Sequence, residues 1–210
     1  RKLLNINWAS LGIPVVTTAA AKGAIDENAP FSAGIITGEV KELSPEEAIL
    51  KNTDLIIAFG LRNTEVVSAK PFSSALINID VVDNGLSAGF QPKINFIAED
   101  LSAATEEIVV LLKRKQWGGD IIKEWREKLF AELFKNAFMP ASVFRSIQKI
   151  VPDTSLVLDT GLFCTIGETV WQASGSENFL GSSVGRFMGT AIPTAIGFSI
   201  SAPEKRVVCA

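Results

Sequence analysis

Histidine and tyrosine are absent from this sequence of 210 residues. The absence of histidine excludes the Ser-His-Asp and Cys-His arrangements that activate a nucleophile. It also excludes zinc sites of the HExxH type and the H-x-E signature of zinc deaminases. The enzyme classes that depend on those arrangements are therefore ruled out.

Cysteine is scarce, with Cys164 and Cys209 as the only two in the sequence. Two thiols cannot form a four-thiolate zinc site. Because the two lie far apart in the chain, we interpret them as reduced core residues of a cytosolic protein rather than as a disulfide. The sequence therefore predicts a cytoplasmic protein.

Charge of either sign is also limited. The 20 Lys and Arg residues against 23 Asp and Glu give a net charge of -3, which provides no reason to expect a nucleic-acid or anionic-membrane partner. The longest uncharged run, Phe187 to Pro203, contains Pro193 and several hydroxyl residues. It is too short and too polar to span a membrane, and we predict a buried helix there.

Short apolar runs alternate with helical patterns along the chain. Strands that are apolar on both faces and separated by helices indicate a parallel sheet covered on both sides. The predicted fold class is therefore α/β. The predicted strands are Ile13–Thr17, Leu55–Phe59, Ala75–Ile79, Ile94–Ile97, Leu156–Leu158 and Arg206–Ala210.

Helix starts are marked by capping residues. Ser44 followed by Pro45 and Glu47 is typical of a helix N-terminus, and Asp100 precedes an apolar-periodic segment. Further helices are predicted from hydrophobic periodicity. They cover Asp120–Lys135, Ala141–Val151, Phe163–Ala173 and Thr190–Ser201.

The chain divides into three parts by composition. Residues 1–113 form a first α/β unit, residues 114–137 a charged connecting helix, and residues 138–210 a second α/β unit. The sequence starts at Arg1 without Met and ends on the apolar run Val207 to Ala210, so we expect a piece of a longer protein.

Two stretches differ from ordinary scaffold. Asp159-Thr160-Gly161 follows a predicted strand, at the edge where parallel sheets bind ligands, and the following helix N-terminus offers N–H groups to an anion. The alternative is a plain strand-to-helix turn. The loop from Gly181 to Gly189 is rich in glycine and leads into a helix, but it matches neither a P-loop nor GxGxxG. Met188 in this loop is either core filler or a cofactor contact.

These motifs occur in a recognisable order. The second unit has Asp159-Thr160-Gly161, the Gly-rich loop, Met188-Gly189 and Ile192–Gly197. The first unit has Gly12–Thr18, Lys22-Gly23-Ala24, Pro30, Gly34, Asp54–Arg62 and Ile77–Asp80. Over nearly the whole chain, this order resembles thiamine-diphosphate-dependent enzymes of the acetolactate synthase and pyruvate decarboxylase superfamily.

The resemblance implies a fold and an activity. A Rossmann-like central domain of the six-stranded type, lacking its first strand, would be joined by the connecting helix to the truncated start of the diphosphate-binding domain. The segment Arg1 to Leu11 resembles the helix that follows the absent strand. The parent enzyme would decarboxylate a small-molecule 2-oxo acid, using thiamine diphosphate and Mg²⁺, and would release or ligate the resulting carbanion. It would be a homodimer or homotetramer.

The resemblance also implies that the isolated chain is inactive and carries neither a catalytic residue nor a metal ligand. In the family, the glutamate that activates the cofactor comes from an N-terminal domain, and the Gly-Asp-Gly motif of the Mg²⁺ site would follow Ala210. A hard cation requires several oxygen ligands. Substrate-facing residues of the family likewise come largely from outside this chain.

Six residues match cofactor-binding positions of the family. Leu162 and Phe163 stand where the family contacts the diphosphate, but they have no polar side chain, so the contacts would fall to Thr160 and to backbone N–H groups. Met188 matches the residue that wedges under the cofactor, and the backbone carbonyl of Arg186 would accept a bond from its aminopyrimidine. The predicted cofactor-binding set is Thr160, Gly161, Leu162, Phe163, Arg186 and Met188.

Flavin-binding relatives carry Arg-x-Asp-x-Arg after the second strand motif, and this chain keeps only the first arginine, Arg62. We therefore predict no FAD, and Arg62 is either a surface arginine or a ligand contact. Two further functions stay open. The protein is alternatively a non-catalytic nucleotide-binding module, or a degenerate structural or regulatory subunit of the same family, as the apolar Leu162 and Phe163 would suggest.

Overall fold

The computed structural model describes residues 11–37, 42–62, 72–83, 90–112, 117–137, 139–182 and 187–210. The predicted α/β class is confirmed, because strands and helices alternate and each strand pairing described is parallel. The elements in chain order are β1 Val15–Thr18, β2 Ser32–Ile36, α1 Pro45–Ala48, β3 Leu55–Phe59, β4 Ala75–Asp80, β5 Ile94–Ile97, α2 Leu101–Leu111, α3 Gly118–Phe134, α4 Met139–Ile150, β6 Thr154–Leu158, α5 Cys164–Val170, β7 Phe179–Gly181, α6 Ala191–Ser201 and β8 Arg206–Cys209.

The described strands form three sheets, in the orders β1-β2, β3-β4-β5 and β7-β6-β8. The sequence indicated a single sheet in the first unit, whereas the described strands of that unit are divided between two. β2 and β7 were not predicted, because β2 is rich in small residues and β7 is only three residues long. The helix expected over Arg1–Leu11 lies outside the described residues except for its last position.

Two helix starts follow the capping chemistry of the sequence. The Ser44 hydroxyl accepts a hydrogen bond from the N–H of Glu47 at 3.4 Å, and α1 then runs for only four residues. The Asp100 carboxylate accepts from the N–H groups of Ser102 at 2.7 Å and Ala103 at 3.2 Å. Both side chains satisfy N–H groups that the first turn of a helix leaves unpaired.

The second unit is organised around β6, the middle strand of its sheet. Every residue of β6 is buried, as expected for a strand covered on both faces. Leu156 and Leu158 pack with Phe144, Trp171 and Phe179 in one apolar cluster. This core holds the carboxyl end of β6 in a fixed place, and the predicted turn begins there.

The connecting helix α3 is more than a solvated link. Ile122 and Trp125 are buried against Ala33 of β2 and Ile49. Trp125 lies so close to Gly34 that a Cβ on Gly34, whose φ is +80°, would be 2.7 Å from the indole. The apolar side of α3 is therefore part of the core of the first unit.

Three predictions of burial are wrong. The strand β5 was expected to be covered on both faces, but each of its four residues is exposed. α6 is a helix as predicted, but only Ala191 in it is buried, because one side packs on β6 and β8 while Ile192, Ile196 and Ile200 are exposed. Neither cysteine is in a disulfide, as expected, yet only Cys164 is a core residue, and Cys209 is exposed. Among the described helices, none combines the length and apolarity needed to cross a bilayer.

Candidate functional site

The predicted turn lies at the carboxyl edge of the β7-β6-β8 sheet. β6 ends at Leu158, the N–H of Asp159 donates to the carbonyl oxygen of Ala210 at 2.8 Å, and α5 begins at Cys164. The N–H of Cys164 donates back to the carbonyl of Gly161 at 3.1 Å, which closes the turn. This edge is where ligands bind in open α/β sheets.

Asp159 joins the two stretches that the sequence analysis singled out. Its Oδ1 accepts from the N–H of Thr160 at 2.7 Å, and both carboxylate oxygens accept from the N–H of Gly189, at 3.1 and 2.9 Å. Its Oδ2 also lies 3.4 Å from the N–H of Ala191. The residue is therefore not part of a plain turn, since it connects the turn to the Gly-rich loop.

These N–H donors favour the charged form of Asp159. The hydrogen bond from the N–H of Thr160 contributes most to lowering the pKa of Asp159 below its ordinary value, and the N–H groups of Ala191, Gly189 and Thr190 add to the effect. The carboxylate is thus ionised at neutral pH. Because its oxygens accept hydrogen bonds from backbone N–H groups, the carboxylate is poorly suited to donate or accept a proton during a reaction.

The described part of the Gly-rich loop presents Met188 outwards. Met188 is 82% exposed and its neighbour Phe187 is 64% exposed, so Met188 is not core filler. Gly189 has a φ of +83°, a conformation that glycine adopts without strain, and the hydroxyl of Thr190 donates to the carbonyl of Phe187 at 3.1 Å. Arg186, the predicted acceptor for the aminopyrimidine, lies outside the described residues.

The predicted diphosphate-contacting residues offer backbone donors rather than side chains. Thr160 and Gly161 are half-buried, Leu162 is fully exposed, and Phe163 is partly exposed with its ring 6.3 Å from that of Phe144. Among the described residues, the N–H groups of Gly161, Leu162 and Phe163 find no acceptor. Unpaired N–H groups of this kind suit an anion.

A cavity of about 240 Å³ lies between the carboxyl ends of β6 and β7 and the first turn of α6. The sequence analysis missed part of its lining, although Thr190 and Thr194, one helical turn apart after Gly189, were a signal that could have identified it. Its lining residues are Val157, Leu158, Leu180, Gly181, Ser182, Thr190, Ala191 and Thr194.

No cluster of three or more potential metal-binding side chains occurs in the part of the chain that the structure describes. Asp159 is the carboxylate at this edge, and it already accepts from three backbone N–H groups. A Mg²⁺ ion needs several oxygen ligands. The described residues therefore fit the organic part of a cofactor better than its metal.

In the first unit, Arg62 follows β3 and pairs with Asp80 at the end of β4, with 3.2 Å between Nη2 and Oδ1. Asp80 is buried, and its Oδ1 also accepts from the N–H of Val81 at 2.7 Å. The Arg62 side chain is half exposed. Arg62 is thus a half-exposed arginine at a strand end, and its described partner is the Asp80 carboxylate.

The two units meet at the buried ion pair of Lys22 and Glu27, which the sequence analysis did not identify. Glu27 Oε2 accepts from Lys22 Nζ at 2.5 Å and from the N–H of Ala173 at 2.8 Å. Burial lowers the pKa of Lys22, although Glu27 and Glu168 oppose this shift. A groove of about 820 Å³ beside this pair runs between β2, α3 and α5.

Comparison with known proteins identifies one matching family model and several relatives. Residues 5–108 match the family model described as thiamine pyrophosphate enzyme, central domain. A probable acetolactate synthase large subunit from Methanococcus aeolicus is 25% identical over 226 residues, which cover 95% of this chain and 37% of that protein. The acetolactate synthase large subunit of Porphyra purpurea is 24% identical, over 94% of this chain and 35% of its own length.

A third relative has a similar name and a similar coverage. The mitochondrial acetolactate synthase catalytic subunit of Saccharomyces cerevisiae is 23% identical, over 93% of this chain and 32% of its own length. The chain therefore spans a little over a third of the length of the first two relatives, at 37% and 35%. Residues 5–108 therefore carry the central domain of a thiamine pyrophosphate enzyme, and along most of its length the chain is similar to acetolactate synthases.

Proposed function

We propose that the whole protein is an acetolactate synthase-like enzyme that decarboxylates a small 2-oxo acid and releases or ligates the carbanion that remains. The relatives named acetolactate synthase support this activity. When bound, thiamine diphosphate supplies the electron sink for that carbanion, and the protein supplies position and electrostatics.

The observation that carries the proposal is the bond between Asp159 and Gly189, which holds the turn and the Gly-rich loop at one edge of the sheet. The turn offers an anion the N–H groups of Gly161, Leu162 and Phe163, which have no acceptor within the described part of the chain. The loop has the exposed side chain of Met188 for an apolar ring. A diphosphate linked to an aromatic ring requires these two kinds of contact side by side.

Each matching residue has a proposed role. The Thr160 hydroxyl and the N–H groups of Gly161, Leu162 and Phe163 bind the diphosphate, and Met188 supports the ring. The backbone carbonyl of Arg186 accepts from the aminopyrimidine, a role that rests on the family resemblance alone. The apolar side chains of Leu162 and Phe163 leave all turn contacts with the diphosphate to the backbone and to Thr160.

The remaining properties of the whole protein belong to the same proposal. Mg²⁺ would be bound by residues other than the described ones, and the enzyme would be a cytoplasmic homodimer or homotetramer without FAD. The division into a central domain at 1–113, a linker helix at 114–137 and a truncated diphosphate-binding domain at 138–210 also stays a prediction. The match of residues 5–108 to a central domain supports its first part.

The test is CO₂ release from pyruvate and other short 2-oxo acids by the full-length protein with thiamine diphosphate and Mg²⁺. We expect activity in the full-length protein and none in the 210-residue chain alone. Met188→Ala should lower kcat at least tenfold. Met139→Ala is the matched control, because Met139 is also largely exposed but lies at the start of α4.

Three outcomes would contradict the proposal or a part of it. Turnover by the isolated chain would show that the missing catalytic groups are not needed. A full-length protein that is folded but inactive on every 2-oxo acid would favour a degenerate subunit. Adenine-nucleotide binding by that protein without thiamine diphosphate would favour the nucleotide-binding module instead.

A further inference from the structure

We propose that Asp159 is a positioning residue, whose carboxylate holds the loop bearing Met188 against the end of β6. The mechanical part of this inference stands on the contacts of Asp159 alone. Its consequence for catalysis rests on the proposed function, because that function gives Met188 its role.

The contacts of Asp159 join two segments that are far apart in the chain. Gly189 lies 30 residues after Asp159, and its N–H faces both carboxylate oxygens, at 3.1 and 2.9 Å. The N–H of Thr160 occupies Oδ1 at 2.7 Å, while the N–H of Ala191 approaches Oδ2 at 3.4 Å. One carboxylate therefore fixes the strand end, the loop and the start of α6 together.

The start of α6 depends on this carboxylate. Thr190, the residue that precedes the helix, makes no capping hydrogen bond with its own side chain. The first N–H groups of a helix need acceptors, and a negative charge at that end is favourable. Asp159 supplies the acceptor and the charge from another element, so the loop ahead of α6 is anchored by a long-range contact rather than by a local cap.

Within the described residues, the Met188 side chain has too little packing to set its position. Its side chain is 82% exposed, whereas the next residue, Gly189, donates to Asp159. The Thr190 hydroxyl bonded to the Phe187 carbonyl is the other anchor described nearby. Two described hydrogen-bonded contacts therefore hold the backbone on either side of Met188. Of these two, the contact with Asp159 is the one that connects the loop to the sheet.

The first experiment measures the loop directly, in the 210-residue chain. Amide hydrogen exchange at Gly189 and Ala191 would be followed by NMR in the wild type, Asp159→Asn, Asp159→Ala and Asp159→Glu. Asp153→Asn is the matched control, because Asp153 is an exposed carboxylate just before β6, at the opposite end of the strand. Protected amides within β6 report whether each variant is folded.

We expect exchange at Gly189 to rise at least tenfold in Asp159→Ala, to rise less in Asp159→Asn, and to stay at the wild-type rate in Asp153→Asn. Methyl labelling adds an internal reference, because the chain has only two methionines. The Met188 methyl should gain mobility in the Asp159 variants, while the Met139 methyl stays unchanged. Wild-type exchange at Gly189 in a folded Asp159→Ala would overturn the proposal.

The second experiment measures the consequence in the full-length protein. We expect Asp159→Asn to lower kcat about tenfold, with little change in KM for the 2-oxo acid and with partial rescue by Asp159→Glu. A released loop together with an unchanged kcat in an active enzyme would overturn the positioning role. If Met188→Ala leaves kcat unchanged while the exchange data still show the anchor, the role of Met188 in the proposed function fails and the anchoring by Asp159 stands.

Discussion

Glu27 and Ala173 bind each other twice. The backbone N–H of Glu27 donates to the carbonyl oxygen of Ala173 at 2.9 Å, and the N–H of Ala173 donates to the Glu27 carboxylate at 2.8 Å. The same carboxylate pairs with Lys22, and both side chains are almost completely buried. The first unit is thus attached to the segment that follows α5, the helix that begins at the candidate-site turn.

Glu27→Ala should strongly destabilise the chain, because it leaves the buried Lys22 ammonium without its carboxylate. Removing one partner of a buried pair typically costs about 3–5 kcal/mol. The measurement is the midpoint of denaturant unfolding. Glu124→Ala is the control, since Glu124 pairs with Lys128 on the exposed surface of α3, and it should leave the midpoint unchanged.

A double variant separates charge from shape at this site. Lys22→Met with Glu27→Gln removes both charges while keeping side chains of similar length, so it should be more stable than Glu27→Ala. A double variant less stable than Glu27→Ala would contradict this reasoning. If the double variant is less stable than the wild type, the ion pair itself contributes net stability.

Gly23→Ala tests the close approach of the two units. Gly23 has a φ of +78°, and a Cβ there would lie 2.3 Å from the carbonyl oxygen of Gly175. Because both the conformation and the space exclude a side chain, the variant should lose more than about 1 kcal/mol of unfolding free energy. Gly119→Ala, where a Cβ meets nothing within 4 Å in the first turn of α3, should be neutral or stabilising. Equal midpoints for the two variants would contradict this packing.

Local signals in the sequence predicted much of the fold. The apolar segment of β6 and the caps Ser44 and Asp100 involve residues within a few positions of one another, so their chemistry is visible in the sequence. The strand β2 was missed because Ser-Ala-Gly gives little strand signal. The exposure of Ile196 in α6 was missed because apolar composition does not tell what covers a helix.

In the candidate site, too, the sequence predicted the local features but not the long-range contacts. The sequence identified the turn at Asp159 and the loop with Met188, because glycine and a carboxylate at a strand end are local features. It did not identify the bond from Gly189 to Asp159, which spans 30 residues, or that from Ala173 to Glu27, which spans 146. Contacts between residues so far apart in the sequence depend on how the whole chain packs, and hydrophobic periodicity does not predict that packing.

The two neighbouring isoleucines of α3 provide a matched test of its role in the core. Ile122 is 1% exposed and packs on Ala33 and Ile49, whereas Ile121 is 38% exposed. Ile122→Ala should lower the unfolding free energy by about 2–5 kcal/mol, and Ile121→Ala by less than about 1 kcal/mol. Denaturant unfolding of both variants measures this, and a larger loss for Ile121→Ala would place the other side of α3 against the first unit.

The pH dependence of stability gives a separate test of Asp159. The N–H of Thr160, with those of Ala191, Gly189 and Thr190, lowers the pKa of Asp159 in the folded chain. A lowered folded pKa means that the carboxylate contributes stability above its unfolded pKa of about 3.9. That contribution is lost as the pH falls through the folded pKa.

The stability difference between the wild type and Asp159→Asn should therefore be constant near neutral pH and should shrink only in acid. Denaturant unfolding of both proteins from pH 7 down to the lowest pH at which the chain folds measures this difference. The same series with Asp153→Asn corrects for the general effect of removing a carboxylate. A difference that grows as the pH falls would mean that the protonated form of Asp159 is the one the fold prefers, and the N–H groups around it would then not be its main partners.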